Sequence, residues 1–446
     1  MFSIRGMRGF LASSIGVTCA AALALPLTLP AAAAPTEAPA RAAAQPTSGA
    51  RSAPTAAEPD LPGSTQSLPL TPTTRDRALG AAPEQGLTRD DVHRFSLVGV
   101  TWTDPDTTLR GRVQVRTRAT GTGEWSGWQD VDTHNEDHGA DPGTAERDSG
   151  HVHGSTAPLW VGDSDAVDVR VRADRGATRA VEPQASALPA GLHLELVDPG
   201  AEPPPAVVRA TARRAAMPLA ATELPALSRA ATEREAVAMY GRSQPYIGPR
   251  PRIITRRGWG ADEKLREKGF VYTKKVKAVF VHHTASGNNY SCSQASSVIR
   301  GIYRYHVKSS GWRDIGYNFL VDKCGNIYEG RAGGVAKPVL GAHTLGFNTN
   351  SMGIAVLGTF GSAKPSSAAV TAIARLSAWK LGLYGVNPRG KTYLKSGGGN
   401  LYRKGKNVRL NAISGHRDGF ATECPGRQLY GKLGSARSTS ARFQGR

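Results

Sequence analysis

Cysteines, long apolar runs and, towards one end, acidic residues are all scarce in this 446-residue chain. The one long apolar stretch is LASSIGVTCAAALALPLTLPAAAA, which follows Arg5 and Arg8 and ends in an Ala-x-Ala cleavage pattern near residues 32–34. This reads as a secretory signal peptide over residues 1–34. No other stretch is apolar enough to span a bilayer, which excludes a transmembrane span once the signal is removed. Cys19 lies inside the apolar run, which continues past it, so a lipidated cysteine is a poor match. No internal repeat is present, which excludes a solenoid. No established nucleic-acid fold motif occurs either, and export argues against a nucleic-acid enzyme.

Signal removal leaves Cys292, Cys324 and Cys424, an odd number in an exported chain. Cys292 and Cys324 flank one helix-like segment and the start of a strand, so a disulfide closing that loop is expected. Cys424 is left for other chemistry. Acidic residues thin out from Arg250 onward: that part, Arg250 included, carries 33 Lys and Arg against 8 Asp and Glu, while the preceding part carries 23 against 28. A basic field concentrates polyanions. For an exported protein these are anionic wall polymers and lipid head groups.

Composition then divides the chain. Residues 35–90 are rich in Ala, Pro, Thr and Ser and read as a disordered spacer. Residues 91–199 hold short runs of period-two alternation (GRVQVRTRA, AVDVRVRAD, LHLELVD) between Gly, Asp and Asn clusters, which predicts an all-β, sandwich-like accessory domain. Its Trp102, Trp125, Trp128 and Trp160 read mainly as core, with a sugar-stacking face as the alternative. The loop HNEDHGADPGTAERDSGHVH, with His134, His138, His151 and His153, reads as a mobile loop rather than a chelator. Residues 200–248 read as a Pro/Ala-rich linker. In residues 249–434 strands alternate with helices, predicting an α/β unit around a central sheet. Residues 435–446 form a basic tail.

Chemistry concentrates in that last unit. His416 and Cys424 lie close together in SGHRDGFATECPG, and a histidine pair, His282 and His283, ends the strand-like run AVFVHH. Imidazole and thiolate suit zinc, and three protein ligands leave a fourth position for water, as catalytic zinc sites do. Successive strand side chains face opposite ways, so only one of the two histidines points into a given cleft. The alternation does not choose between them.

Six motifs in order, RRGWGA, AVFVHHTA, GWRDIGYNFLVD, GNIYEGR, GAHTLGFNTNSMGIAVLGTF and SGHRDGFATECPG, resemble those of peptidoglycan recognition proteins and the related zinc N-acetylmuramoyl-L-alanine amidases. The resemblance covers residues 250–434 and implies His282, His416 and Cys424 as ligands of a Zn²⁺ cofactor, with His283 as a packing neighbour. It implies Tyr317 and Thr422 beside the reacting centre. His343 matches a groove position, and His306, Arg331 and Asn348 are further candidates for contact with the muramyl-peptide. The implied protein is a secreted or wall-associated zinc amidase acting on peptidoglycan. A wall-binding protein without turnover is the alternative, as is an adhesion-type protein whose β-rich unit carries the function. If the basic unit binds walls electrostatically, sedimentation with purified walls weakens steeply from low to high salt; salt-independent binding overturns this.

Overall fold

The computed structural model describes residues 63–73, 83–174, 187–201, 221–241 and 244–446. The expected signal peptide lies outside them. Among the described residues, no helix is long and apolar enough to cross a membrane.

The first unit is antiparallel β. Strands β1 (Ser64–Pro69), β2 (Thr71–Pro72), β3 (Glu84–Arg89), β4 (Phe95–Trp102), β5 (Gly111–Ala119), β6 (Gln129–Val131), β7 (Gly154–Ser155), β8 (Leu159–Ala173) and β9 (His193–Asp198) join in one sheet. β8 spans 15 residues; its start pairs with β4 and its later part with β3 and β5. The period-two pattern sets the faces: in β5, Val113, Val115 and Thr117 are buried while Arg112, Gln114 and Arg116 are not. Phe95, Val98, Val100, Trp102, Val167 and Leu194 complete this core. Trp102 and Trp160 are buried. Trp125 and Trp128 instead lie near the surface, with the Arg170 guanidinium 4.1 Å from the Trp128 ring and Arg116 5.3 Å and 5.1 Å from the two rings.

Three expectations need correction. β1, β2 and β3 fall within the stretch read as spacer, so the β unit reaches back at least to Ser64. These strands are short, polar and half-buried or exposed, which leaves little apolar alternation to read. The stretch read as linker contains β10 (Glu223–Leu224) and the helix α1 (Arg229–Tyr240), capped by Ser228. The basic tail is most of a helix, named α5 below.

The second unit is built on a seven-stranded sheet. To β10 it adds β11 (Ile253–Ile254), β12 (Ala278–His283), β13 (Phe319–Val321), β14 (Ile327–Glu329), β15 (Ser351–Val356) and β18 (Ile413–Gly415), in the order β10-β11-β14-β13-β15-β12-β18. From β13 to β18 the neighbours are parallel. β16 (Lys391–Lys395) and β17 (Asn407–Asn411) form a separate hairpin. The helices are α2 (Ala295–Arg304), α3 (Ser367–Leu383), the short α4 (Arg427–Tyr430) and α5 (Leu433–Gln444). A capping box of Ser291 and Gln294 opens the turn that leads into α2. Cys292 and Cys324 form a disulfide that joins this turn to the connection after β13. α5 packs on α3 through buried Leu433, Ala436 and Ala441, and Gln444 Nε2 donates to Ala378 O at 2.9 Å.

The two units share a core. Leu97, Trp160 and Val197 of the β unit cluster with Val298, Ile299 and Ile302 of α2. α2 runs into a π-helical turn, Tyr305–Ser309. The buried Tyr305 hydroxyl donates to Thr156 O at 3.1 Å, and Ser309 Oγ donates to Glu195 Oε2 at 2.9 Å. Gly99 leaves room for Tyr305; a Cβ there would stand 2.4 Å from its hydroxyl oxygen.

Lys380 of α3 is buried, and its ammonium donates to Val335 O and Lys337 O. Burial lowers its pKa from 10.5 to about 7, with Glu329 opposing. The folded value lies below the unfolded one, so this contribution to stability is complete above the unfolded pKa and is lost as pH falls towards 7. Urea unfolding between pH 7 and 9 should show a slope of up to about 1.4 kcal/mol per pH unit from this group, which Lys380→Met abolishes. An unchanged slope in the variant contradicts the assignment.

Candidate metal centre

Strand register brings the two histidines together. β12 and β18 run parallel with Val281 opposite Gly415, so His282 and His416 emerge side by side one residue further on. This is the carboxyl end of a parallel sheet, where open α/β sheets bind ligands. The faces of β12 separate His282 from His283. Val279 and Val281 point into the core with α3 and α5, whereas Ala278 and Phe280 point to the opposite side with Phe347. His282 shares the parity of Phe280 and faces the site. His283 faces the other way, where its Nδ1 accepts from Phe360 N at 3.3 Å.

Cys424 is buried and outside any disulfide. Its Sγ lies 3.9 Å from His282 Nδ1 and accepts from His283 N at 3.5 Å. A fourth residue joins from the β unit. Ligand atoms of His138, His282, His416 and Cys424 all lie within 4.8 Å of one another, and all four residues are buried. Donors on a tetrahedral zinc with typical N and S bond lengths stand roughly 3.6 Å apart, so the group is close to a coordination shell.

The surrounding hydrogen bonds leave a bare nitrogen on each ring. His416 Nε2 donates to Asp137 O at 3.2 Å, and His138 Nδ1 donates to Asp137 Oδ1 at 2.7 Å. Of their other nitrogens, His138 Nε2 is buried without a hydrogen-bond partner, and His416 Nδ1 makes no hydrogen bond but lies 3.5 Å from Asp137 Oδ2. His282 Nε2 faces His343 Nδ1 at 3.3 Å and Thr344 Oγ1 at 3.4 Å, which leaves Nδ1 towards Cys424. Such outer contacts fix tautomer and orientation in metal sites. Burial lowers the pKa of His416 to about 3 and that of His282 well below its usual value, so both rings are neutral. Burial pushes the Cys424 thiol up, a penalty that coordination reverses, since a bound thiol is deprotonated. Burial also works to raise the Asp137 carboxyl, but His138 and His416 outweigh it and hold it below the usual carboxylate range. Neutral imidazoles, a thiol and buried nitrogens free of hydrogen bonds make a donor set that fits zinc.

The other sequence-derived residues divide. Tyr317 is buried with its ring 5.6 Å from that of His282, and burial, Cys424 and Asp137 raise its pKa well above 10. Thr422 Oγ1 accepts from Cys424 N at 3.1 Å. Glu423, next to Thr422, is exposed and paired with Arg417 at 3.0 Å. His343 is fully buried behind His282 rather than on a groove surface. His306 is also buried, in the π-helical turn, stacked 4.4 Å from Trp312, and Gly316 N donates to its Nδ1. Arg331 and Asn348 do bind carboxylates, but those of the β unit's loop. Arg331 holds Glu146 with two bonds of 2.8 Å, and Asn348 Nδ2 donates to Asp141 Oδ1 at 2.7 Å.

Residues 272–427 match the family described as N-acetylmuramoyl-L-alanine amidase, and residues 50–190 match one described as Rv3811 N-terminal galactose-binding domain-like. Peptidoglycan-recognition protein SC2 of Drosophila melanogaster is 30% identical over 183 residues, covering 41% of this chain and 84% of its own. The chain belongs to the peptidoglycan-recognition protein and type 2 amidase family. Another member, peptidoglycan-recognition protein SC1a of Drosophila melanogaster, is 33% identical over 185 residues, 41% of this chain and 83% of its own. A solved member, peptidoglycan recognition protein-LE in complex with tracheal cytotoxin, is 33% identical and covers 41% of this chain and 92% of its own, with a TM-score of 0.32.

Sequence reasoning missed His138 and Asp137 as members of the site. The histidines and acids crowding residues 132–153 were the available signal. If the cluster binds zinc, zinc at one hundred times its Kd stabilises the fold by about 2.7 kcal/mol, visible as a fall in melting temperature on chelation. Cys424→Ser should lose both the bound zinc and most of that shift; a native chain whose melting ignores zinc and chelator contradicts the site.

Proposed function

We propose that this chain is an exported, zinc-dependent amidase that cleaves the bond between N-acetylmuramic acid and L-alanine in peptidoglycan. The observation that carries this reading is Cys424, placed with His282 and His416 at the carboxyl end of the parallel sheet. Those three residues would hold the ion. Bound zinc supplies a Lewis acid for the amide carbonyl and a water acidic enough to ionise near neutral pH.

The chain's own residues do the rest. Tyr317, kept protonated by burial, is a hydrogen-bond donor suited to the developing oxyanion and a poor base. Thr422, beside the cysteine, offers a second hydroxyl. Each such donor is worth on the order of 3 kcal/mol in the transition state. His343 and Asp137 hold the imidazoles in orientation. The basic charge of the C-terminal unit favours the anionic wall as the place of action.

A second reading rests on His138. Four protein ligands make a closed site of the structural kind, which suits a wall-binding protein without turnover. The deciding assay measures zinc content and the products of digested wall fragments by mass, on the native chain and on His138→Ala. The amidase reading expects free L-alanyl amine that chelator suppresses, and a loss of roughly 100-fold in turnover for Tyr317→Phe at unchanged zinc content. Zinc-loaded protein that releases no amine in either form leaves wall binding alone.

A further inference from the structure

The loop of residues 132–153 leaves the β unit after β6, crosses the metal cluster and returns to β7. Its contacts lie along the face where a substrate would rest. His138 joins the ligand cluster. Leu345 N donates to Asp137 O at 2.9 Å and Gly139 N to Ala342 O at 3.2 Å, which pins the loop's backbone to the segment carrying His343. The Asp141 carboxylate accepts from Gly346 N and Asn348 Nδ2, both at 2.7 Å. Glu146 fills the fork of Arg331 and also accepts from Arg313 N at 3.3 Å. These are charged and polar contacts between buried groups, the kind a groove makes with an anionic peptide.

Space supports the same reading. The free volume flanking Cys424, Tyr317, Thr422 and His138 is about 10 Å³, room for about one water. Small-molecule sites commonly need at least about 300 Å³. Further along, between Asp141 and Glu146 of the loop and Arg331 and Phe270, a cavity of about 260 Å³ persists. With the loop seated, the reacting centre cannot admit a sugar–peptide amide.

We propose that residues 132–153 are a built-in occupant of the amidase groove: His138 takes the fourth metal position, and the Asp141 and Glu146 carboxylates take the places of anionic groups of the stem peptide. The inference rests on the zinc-site reading above and adds that the chain is latent as folded. The same metal position is closed or open according to whether this loop is seated. Turnover requires the loop to leave. Its stretch from Pro142 to His151 is largely exposed, with Pro142, Gly143, Ala145, Asp148, Gly150 and His151 on the surface, which makes it the accessible handle for displacement or cleavage.

The test compares the full-length native chain with His138→Ala and with the paired Asp141→Ala and Glu146→Ala substitution, all zinc-loaded and checked for folding by circular dichroism. X-ray absorption at the zinc edge counts ligands without reference to activity. Three imidazoles and one sulfur are expected in the native chain. Two imidazoles, one sulfur and a light oxygen donor are expected in His138→Ala. Calorimetric binding of a soluble muramyl-L-alanyl peptide is expected to be at least about tenfold tighter in both variants than in the native chain, and turnover to rise by a similar factor. A native zinc that already carries an oxygen in place of the third imidazole overturns the proposal, as does equal peptide affinity in all three proteins. If ligand count and affinity change as expected but no form cleaves the peptide, the occupant stands and the amidase reading falls.

Discussion

Everything at this centre depends on the pairing between β12 and β18. Two parallel strands set Val281 against Gly415, and the residues that follow each become neighbours although more than a hundred positions separate them in the chain. Side chains alternate along a strand, so a slip of one residue would turn His282 into the packed face beneath α3 and bring His283 round instead. The apolar pattern guards against this. Val279 and Val281 fit the core on one side, Ala278 and Phe280 fit the other, and neither set tolerates exchange. The positions of His282 and His416 are thus fixed by hydrophobic burial rather than by affinity for an ion.

Around that pairing, polar groups hold the rings in orientation while burial keeps His282 and His416 neutral. His343 stands behind His282, and Asp137 touches both His138 and His416. Asp137 is the unusual member, since it reaches the centre from the β unit while performing the orienting work that a neighbouring carboxylate does in many zinc sites. The two units therefore meet in more than one way: an apolar contact on α2, hydroxyl contacts on the π-helical turn, and this ionic and imidazole contact at the ligand cluster.

The sequence made some of this legible and hid the rest for physical reasons. His416 and Cys424 announce themselves because they are close together in a Gly- and Pro-bounded loop, and the α/β alternation over residues 249–434 matches the sheet and helices found. The choice between His282 and His283 was not available from alternation, because both faces of a central strand are buried and only the three-dimensional core distinguishes them. His138 was hidden because its partners lie 144 and more residues away in a different fold, and a loop rich in Asp, Gly and His has the composition of a mobile segment. Arg331 and Asn348 meet carboxylates of the same polypeptide, and those partners lie outside residues 249–434, where the motifs of that unit could not show them. α5 escaped notice because SARSTSAR offers small residues rather than a bold apolar stripe, and small residues are what let it lie close against α3.

Gly99 has a consequence of its own. It has no side chain at the spot where Tyr305 enters the β sheet, and even a methyl group would collide with the ring. The seam between the units is consequently gauged by a single hydrogen atom. Any bulkier residue at this point would act as a wedge between the β sheet and the π-helical turn. Variation at this position would tune how closely the β unit and the α/β unit pack together.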